Sequence, residues 1–205
     1  MDNSLLSSTA YFPPVAWYVV ATKQGGWWWE AHENYQKGGY RNRCRIATAN
    51  GPRWLTVPLE KGKNQGAPIQ EVTISYQQDW PREHIQSIRS AYGRAPYFEF
   101  YAPPLFALLS TPTRHLCSLN QKISEFLDKH LQLPVHWEST DSFISPLPHS
   151  SIIDVRGNRA QLPVKAPPYP QLFSDRYGFQ GDLAILDLLF CLGPAAGSYL
   201  RGTSV

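Results

Sequence analysis

The chain has 205 residues, of which 42% are hydrophobic and 17% are charged, a composition that can bury one core and excludes a disordered protein. We therefore expect a single domain spanning residues 1–205. The net charge of +3 at pH 7 is too small for a dedicated duplex-binding protein, so duplex nucleic acid is not expected as a partner.

The N-terminal part of the chain predicts an alternation of strands and a helix. A short strand at 9–12 should stop at Pro13-Pro14, and a helix should follow at 15–22. Three consecutive tryptophans at 27–29 favour a second strand, because bulky aromatic side chains pack well on a pleated sheet.

A β-hairpin is predicted next. Its strands, 41–47 and 53–59, flank Asn50-Gly51, which supplies the positive φ angles that a tight hairpin turn needs. Residues 69–76 alternate imperfectly between apolar and polar side chains, which predicts a further strand.

From Asp79 the pattern becomes helical, and Gly93 should end this helix. A second helix should begin at the capping box formed by Ser118 and Gln121. A strand at 135–139 should follow it.

The C-terminal part should contain a long loop and a buried helix. Residues 145–170 carry six prolines, so we expect a loop with at most a short hairpin. Asp182 should cap a helix at 183–192, which Gly193-Pro194 ends. The order of elements predicts an α/β protein in which helices flank a mixed sheet.

Targeting and redox signals are weak. Residues 1–10 are polar, and the longest apolar stretch contains Asp187, whereas a membrane-spanning helix needs roughly 20 apolar residues. Cys44, Cys117 and Cys191 are widely spaced and odd in number, which favours neither a disulfide framework nor a cysteine-rich zinc site. We expect a cytoplasmic protein without membrane insertion.

A row of basic residues is the first candidate site. Arg41, Arg43 and Arg45 alternate along the predicted strand, so their side chains lie on one face about 7 Å apart. Cys44 and Ile46 are then turned to the core. Neighbouring guanidinium groups repel one another unless an anion bridges them, which predicts phosphate or carboxylate binding. The alternative is a solvated sheet face whose arginines pair with Glu30 or Glu33. The row consists of Lys37, Arg41, Arg43 and Arg45.

His84 lies one turn into the helix that follows Asp79, on the same stripe as Ile88 and Tyr92. Its imidazole suits a general base at neutral pH, and we expect it to face the same cleft as the arginines. The alternative is a structural histidine, hydrogen-bonded within the core.

Asp187 is the single charge in its apolar helix. An unpaired buried carboxylate costs several kcal/mol, so we expect a partner such as Arg156 or one of the arginines of the row. A structural role and a catalytic role both remain open for this carboxylate.

The sequence contains no phosphate-binding loop, dinucleotide glycine pattern, nucleophile elbow or paired-histidine metal motif. The sequence therefore indicates no metal site and leaves the cofactor undefined. It does not define the oligomeric state either.

Several short, uncommon sequence segments occur in an order that resembles the WbqC-like protein family, from residue 9 to residue 200. Gly39 and Ala184 depart from the family pattern. The segments that carry the resemblance are Thr9-Ala10-Tyr11-Phe12-Pro13-Pro14, Glu33-Asn34-Tyr35-Gln36-Lys37, Arg41-Asn42-Arg43, Leu55-Thr56-Val57-Pro58, Trp80 with His84 and Tyr92, Asp154-Val155-Arg156, and Ile185-Leu186-Asp187-Leu188-Leu189.

The resemblance implies a bacterial enzyme of O-antigen or other surface-polysaccharide biosynthesis. It implies a transferase that moves an acyl or aminoacyl group, such as glycyl, from an activated donor to an amino sugar. The ligand would be a phosphorylated or nucleotide-linked small molecule. In this mechanism the basic row holds donor phosphates, His84 accepts the proton of the acceptor amine, and Asn42 or Tyr92 orients that amine.

Two alternative functions follow from the same residues. The N-terminal strand, turn and helix resemble Rossmann-like nucleotidyltransferase domains, which implies Mg²⁺ held between phosphates and a carboxylate such as Asp187. The other alternative is a non-catalytic protein that binds a phosphorylated glycan precursor.

Overall fold

The computed structural model of the chain describes residues 3–60, 64, 66–135, 137–145, 151–157 and 165–202. Its strands are β1 (Leu5–Ser7), β2 (Trp27–Trp29), β3 (Arg43–Ile46), β4 (Arg53–Thr56), β5 (Trp137–Ser139) and β6 (Ile153–Asp154). Its helices are α1 (Val15–Gln24), α2 (Trp80–Tyr92), α3 (Phe98–Ser110), α4 (Leu116–Leu131), α5 (Ser174–Tyr177), α6 (Ile185–Leu192) and α7 (Ala196–Leu200), with 3₁₀ turns at Ile69–Glu71 and Gly193–Ala195.

The main sheet has the strand order β5-β2-β1-β6, and each of its pairs is parallel. The predicted α/β class is confirmed. Antiparallel pairing occurs between β3 and β4, which form a separate hairpin with Arg45 opposite Trp54. Because parallel strands run in one direction, the residues that follow β1, β2, β5 and β6 all lie at the same edge of the sheet.

The core joins both sheets to the helices. One continuous set of buried apolar side chains includes Leu5 of β1, Val19 of α1, Ile46 of β3 and Ile88 of α2. Helix α6 is buried almost all round, as its apolar sequence predicts. Burying each such aliphatic side chain stabilises the fold by about 1.5 to 3 kcal/mol, so this core holds the hairpin against the main sheet.

Most predicted elements are confirmed, with ends that differ by a few residues. The helix at 15–22, the strand at 27–29, the hairpin and the strand at 135–139 correspond to α1, β2, β3–β4 and β5. Gly51 has a φ of +95° in the hairpin turn. The Asp79 carboxylate accepts a hydrogen bond from the Arg82 backbone N–H and caps α2.

Two predicted strands are wrong. Residues 9–12 form no strand, because β1 lies earlier, at Leu5–Ser7, and Phe12 has a left-handed φ of +47°. The segment 69–76 begins instead with a 3₁₀ turn at Ile69–Glu71. Ile69 and Val72 are both buried, and their spacing of three residues places both on one side of such a turn.

Helices α3, α4 and α6 differ from the sequence-based expectation. Helix α3 was not predicted, because Pro103-Pro104 lie inside it and prolines usually interrupt helices. Helix α4 begins at Leu116, before the expected capping box. Helix α6 begins at Ile185 after Ala184 rather than after an Asp182 cap, since the Asp182 carboxylate pairs with Arg45.

The proline-rich segment 145–170 contains a strand that was not predicted. Strand β6 adds to the main sheet beside β1. Residues 146–150 and 158–164 of this segment lie outside the described residues.

Candidate functional site

Polar side chains follow the strands of the main sheet at their carboxyl ends. Ser8 follows β1, Glu30 follows β2, Thr140 follows β5, and Arg156 comes two residues after β6. We call the following residues the strand-end cluster: Ser8, Glu30, Glu33, Arg41, Thr140, Asp154 and Arg156.

Glu30 is the most buried carboxylate of the cluster, with 0% of its surface exposed. Its Oε1 accepts hydrogen bonds from the His32 N–H (3.0 Å) and the Thr140 hydroxyl (2.8 Å). Its Oε2 accepts from the Ile144 N–H (2.8 Å) and from Arg156 Nη1 (3.0 Å). Both carboxylate oxygens are therefore satisfied, which is what a buried charge requires.

Arg156 connects strands that are not neighbours in the sheet, because β6 and β2 flank β1 on opposite sides. Its Nη1 also donates to the Ile144 carbonyl (2.7 Å), and its Nη2 donates to Asp154 Oδ2 (2.6 Å). Burial lowers the pKa of Arg156, but the Asp154 hydrogen bonds and the Asp154 and Glu30 charges outweigh burial and raise it. This guanidinium stays charged and ties β6 to the residues after β2 and β5.

Glu33 and Arg41 form the second ion pair of the cluster. Arg41 donates from Nε to Glu33 Oε1 (2.9 Å) and from Nη2 to Glu33 Oε2 (2.6 Å), and the Ser8 hydroxyl donates to the same carboxylate (3.1 Å). Only 1% of Arg41 is exposed. Two parallel hydrogen bonds between a guanidinium and a carboxylate form the strongest type of ion pair.

The prediction that the arginine row shares one anion is wrong, because its members have separate partners. Arg41 is held by Glu33, which confirms the alternative of pairing with a nearby acid. Arg45 pairs with Asp182. Arg43 donates from Nε to the Gly39 carbonyl (2.7 Å) and lies over the Trp54 ring, with its guanidinium carbon 4.3 Å from the ring centroid.

Arg43 is thus the arginine of the row whose charge has no carboxylate within ion-pair distance among the described residues. Lys37 is exposed on the turn before it, and Gly38 and Gly39 have φ angles of +95° and +62°. Trp54 remains 39% exposed. We call Lys37–Arg43 with Trp54 the cationic segment.

The cationic segment lies next to the strand ends. The Tyr11 N–H donates to the Tyr40 carbonyl (2.9 Å), and Tyr11 follows β1 by four residues. The buried Arg41 side chain anchors the segment by binding Glu33, whose carboxylate also accepts a hydrogen bond from the Ser8 hydroxyl. This places Lys37 and Arg43 near the edge of the sheet at which open parallel α/β folds usually bind ligands.

His84 does not face the arginines. It is buried on α2, where its Nδ1 is 2.8 Å from the Tyr11 hydroxyl and its ring packs against Trp80. Burial lowers the pKa of His84 to about 4, against the opposite effect of a hydrogen bond with the Thr56 backbone. The imidazole is neutral at pH 7 and has partners within the core, so its predicted orientation toward a cleft is wrong.

Asn42 and Tyr92 are also committed to the core. Asn42 Nδ2 donates to the Val57 carbonyl (2.8 Å), which fixes the start of β3 against the end of β4. The Tyr92 hydroxyl accepts from the Ala47 N–H (3.1 Å). Both side chains position the hairpin, and neither is oriented to hold an acceptor amine.

Asp187 is fully buried, as predicted, but its partners are neutral. Its Oδ2 accepts from the Tyr169 hydroxyl (2.8 Å) and from Gln171 Nε2 (3.0 Å), and a hydrogen bond with Tyr92 also acts to lower the pKa of this carboxyl. The expected arginine partner is wrong, because Arg156 binds Glu30 and Asp154 instead. Burial raises the pKa of Asp187 from 3.8 to about 6.

Replacing Asp187 with asparagine is expected to remove a pH dependence of stability. The folded protein binds the Asp187 proton more tightly than the unfolded chain, so this group destabilises the fold as pH rises from about 4 to about 6. The cost above that range is about 3 kcal/mol. Urea unfolding of wild type and Asp187→Asn from about pH 4 to pH 7 measures the difference in their free energy of unfolding at each pH. Because both proteins contain His84, its opposite contribution cancels in this difference.

The exposed Asp175 on α5 provides the matched control. Asp175→Asn should leave the pH dependence of wild type unchanged. Parallel pH profiles for wild type and Asp187→Asn would contradict the raised pKa of Asp187.

The strand-end cluster contains residues that the sequence alone did not identify as a group. Ser8 and Thr140 carry no motif, Glu30 is expected only as a pairing partner, and Glu33 is expected as a pairing partner and as part of a segment that resembles the family. The available signal was their position directly after strands, but β1 and β6 were not predicted. Among the described residues, no three His, Cys, Asp or Glu side chains are grouped so that they could hold a metal ion.

Comparison with known proteins identifies the family. The sequence model of the WbqC-like protein family matches residues 9–156. The chain belongs to the WbqC-like family. The match includes the complete strand-end cluster except Ser8, and it ends before α6 and Asp187 of this WbqC-like chain.

The WbqC-like chain is similar to "Uncharacterized protein Rv1507c" of Mycobacterium tuberculosis (strain ATCC 25618 / H37Rv), with 27% identity over 198 residues. The match covers 82% of this chain and 84% of that protein. No solved structure is significantly similar to the chain. None of the helices in the described part of the chain has the length and apolar character needed to cross a membrane.

Proposed function

We propose that this WbqC-like protein is a cytoplasmic enzyme that decorates precursors of surface polysaccharides such as O-antigen. It binds a phosphorylated or nucleotide-linked small molecule and transfers an acyl or aminoacyl group, such as glycyl, to an amino sugar. Membership of the WbqC-like family supports the proposal.

The position of the cationic segment carries the proposal. The segment lies beside the carboxyl ends of a parallel sheet, where ligands of open α/β folds bind. The Arg43 guanidinium is held by Gly39 and Trp54 without a carboxylate of its own among the described residues. Its terminal nitrogens can therefore donate to phosphate oxygens in the forked geometry that guanidinium groups favour.

Trp54 and Lys37 complete this ligand site. The exposed indole provides an apolar surface for a flat part of the ligand, and the Lys37 ammonium adds a second positive charge. Arg41 stabilises the segment through its buried bond to Glu33 and does not contact the ligand in this proposal.

In the proposed reaction, the amine nitrogen of the sugar attacks the carbonyl carbon of the activated acyl group. A carbon–nitrogen bond forms, and the bond between that carbonyl carbon and its oxygen or sulfur leaving group breaks. The nitrogen loses one proton to solvent, and the leaving group departs with the electron pair. The chain contributes binding and orientation of both reactants, which can supply a large part of the rate enhancement.

Replacing Arg43 with alanine tests the ligand site. A thermal-shift screen of wild type against nucleotide sugars, acyl-CoA and nucleotides first identifies a stabilising compound. Arg43→Ala should then weaken binding of that compound about 10-fold to 100-fold, because a charge-assisted hydrogen bond contributes about 1.5 to 3 kcal/mol. Titration calorimetry measures the affinity.

The matched control is Arg82→Ala, which removes an exposed arginine of α2 and should leave the affinity unchanged. Equal affinities for wild type and Arg43→Ala would reject the cationic segment as the site. Mass spectrometry of the products then separates the functions: acyl transfer without metal supports the proposal, whereas metal-dependent nucleotide turnover, or binding without turnover, contradicts it.

A further inference from the structure

A second open space lies beside the turn of the β3–β4 hairpin. This cleft has a volume of about 820 Å³ and separates the turn of the β3–β4 hairpin from α2. Its polar walls are formed by Asn50 and Arg53 of the hairpin and by Glu83, Gln86, Ser87 and Ser90 of the helix. The lining also includes the apolar residues Pro52 and Ala91.

The helix wall presents one continuous polar face. Glu83, Gln86, Ser87 and Ser90 follow one another at spacings of three, one and three residues, which places them on one side of α2. The neighbouring side of the same helix is buried and includes His84 and Ile88. The core therefore orients the polar face of α2 toward the cleft.

The hairpin wall is held in place by α5. The Tyr177 hydroxyl and Arg176 Nη1 both donate to the Ala49 carbonyl at 2.9 Å. The Thr48 hydroxyl donates to the Gly51 carbonyl (2.6 Å) and closes the turn. An anchored wall can bind a ligand without first losing conformational freedom.

The side chains of both walls are available to a ligand. Among the described residues, no hydrogen bond or ion pair joins the side chains of Asn50, Arg53, Glu83, Gln86, Ser87 or Ser90 to another residue. Amides and hydroxyls can both donate and accept, as sugar hydroxyl groups do. One guanidinium and one carboxylate balance each other in charge, so the cleft suits a polyhydroxylated ligand better than an anion.

We propose that this cleft binds the amino sugar that accepts the transferred group, with the Glu83 carboxylate on the sugar ammonium, which loses a proton to solvent before its nitrogen attacks, and the amides and hydroxyls on the sugar ring. This inference rests on the proposed function for the identity of the acceptor. Arg53 of the cleft and Trp54 of the cationic segment both belong to β4, so one strand contributes to both sites.

Nuclear magnetic resonance of the ¹⁵N-labelled full chain tests the inference with two probes. Glucosamine carries an ammonium group at about pH 6, and N-acetylglucosamine has the same ring without that charge. Glucosamine should shift the amide signals of Asn50, Gln86, Ser87 and Ser90 in a saturable way. Glu83→Gln should weaken glucosamine binding at least about 10-fold and leave N-acetylglucosamine binding within about 2-fold.

Glu99→Gln is the matched control, because Glu99 is also an exposed glutamate in the first turn of a helix. Its binding of both sugars should equal that of wild type. Shifts confined to other surfaces, or equal glucosamine binding by wild type and Glu83→Gln, would overturn the inference.

The same experiments separate this inference from the proposed function. Acyl transfer to an amino sugar that is unaffected by Glu83→Gln would leave the proposed function standing and overturn the acceptor site. Saturable glucosamine binding in the cleft, without transfer from any activated acyl donor tested, would support the site and reject the transferase.

Discussion

Replacing Arg41 with alanine is expected to lower the free energy of unfolding by about 3 to 5 kcal/mol. The substitution leaves the Glu33 carboxylate, of which 7% is exposed, without the guanidinium that binds both of its oxygens. Ser8 would remain as a donor, which is too little to compensate a buried charge. Urea unfolding at pH 7 measures the loss.

Arg43→Ala, two residues along the chain, is the matched control. This side chain is partly exposed and has no acidic partner among the described residues, so its loss should cost about 1 kcal/mol or less. A second control replaces both Arg41 and Glu33 with methionine, which should recover most of the lost stability because no charge remains buried. A fully stable Arg41→Ala protein with weakened ligand binding would restore Arg41 to the ligand site.

Replacing Arg156 with alanine is expected to destabilise the fold by a similar amount, about 3 to 5 kcal/mol. Glu30, with 0% of its surface exposed, would lose its ionic partner and keep only neutral donors. The same change removes the bonds of Arg156 to Asp154 and to the Ile144 carbonyl. Strand β6 pairs only with β1 in the described sheet, so its protection from hydrogen exchange should fall most.

Hydrogen exchange followed by mass spectrometry checks the location of the effect, and urea unfolding checks its size. Arg176→Ala is the control, since Arg176 is exposed and binds a single carbonyl; it should cost less than about 1 kcal/mol. An Arg156→Ala protein as stable as this control would show that Glu30 does not depend on Arg156. Exchange that increases at α2 rather than at β6 would contradict the proposed tie between strands.

Local patterns were sufficient where the physics is local. Asn50-Gly51 predicted the hairpin because the positive φ angles of its turn restrict the residues that fit. Asp79 predicted the start of α2 because its carboxylate accepts a hydrogen bond from the Arg82 N–H three residues along the chain, which is a local contact. The burial of Asp187 followed from the apolar residues that surround it in α6, which leave the helix no polar face.

The candidate site was less predictable, because its contacts join residues far apart in the chain. Glu30 and Arg156 are separated by 126 positions, and only the parallel order β5-β2-β1-β6 brings their strand ends together. A period of two residues correctly placed Arg43 and Arg45 on one face of β3. It could not show that Glu33 would reach Arg41, which lies before the strand.

The sequence by itself determined the class of the fold, the hairpin, the amphipathic helix α2 and the membership of the WbqC-like family. Tertiary structure alone decided which charged side chains form buried ion pairs and which face solvent. Arg41 and Arg43 have the same chemistry and nearly the same position in the chain, yet one is enclosed with Glu33 while the other lies over Trp54. The reason is that the cost of an unpaired charge depends on burial, and burial is set by packing between distant segments.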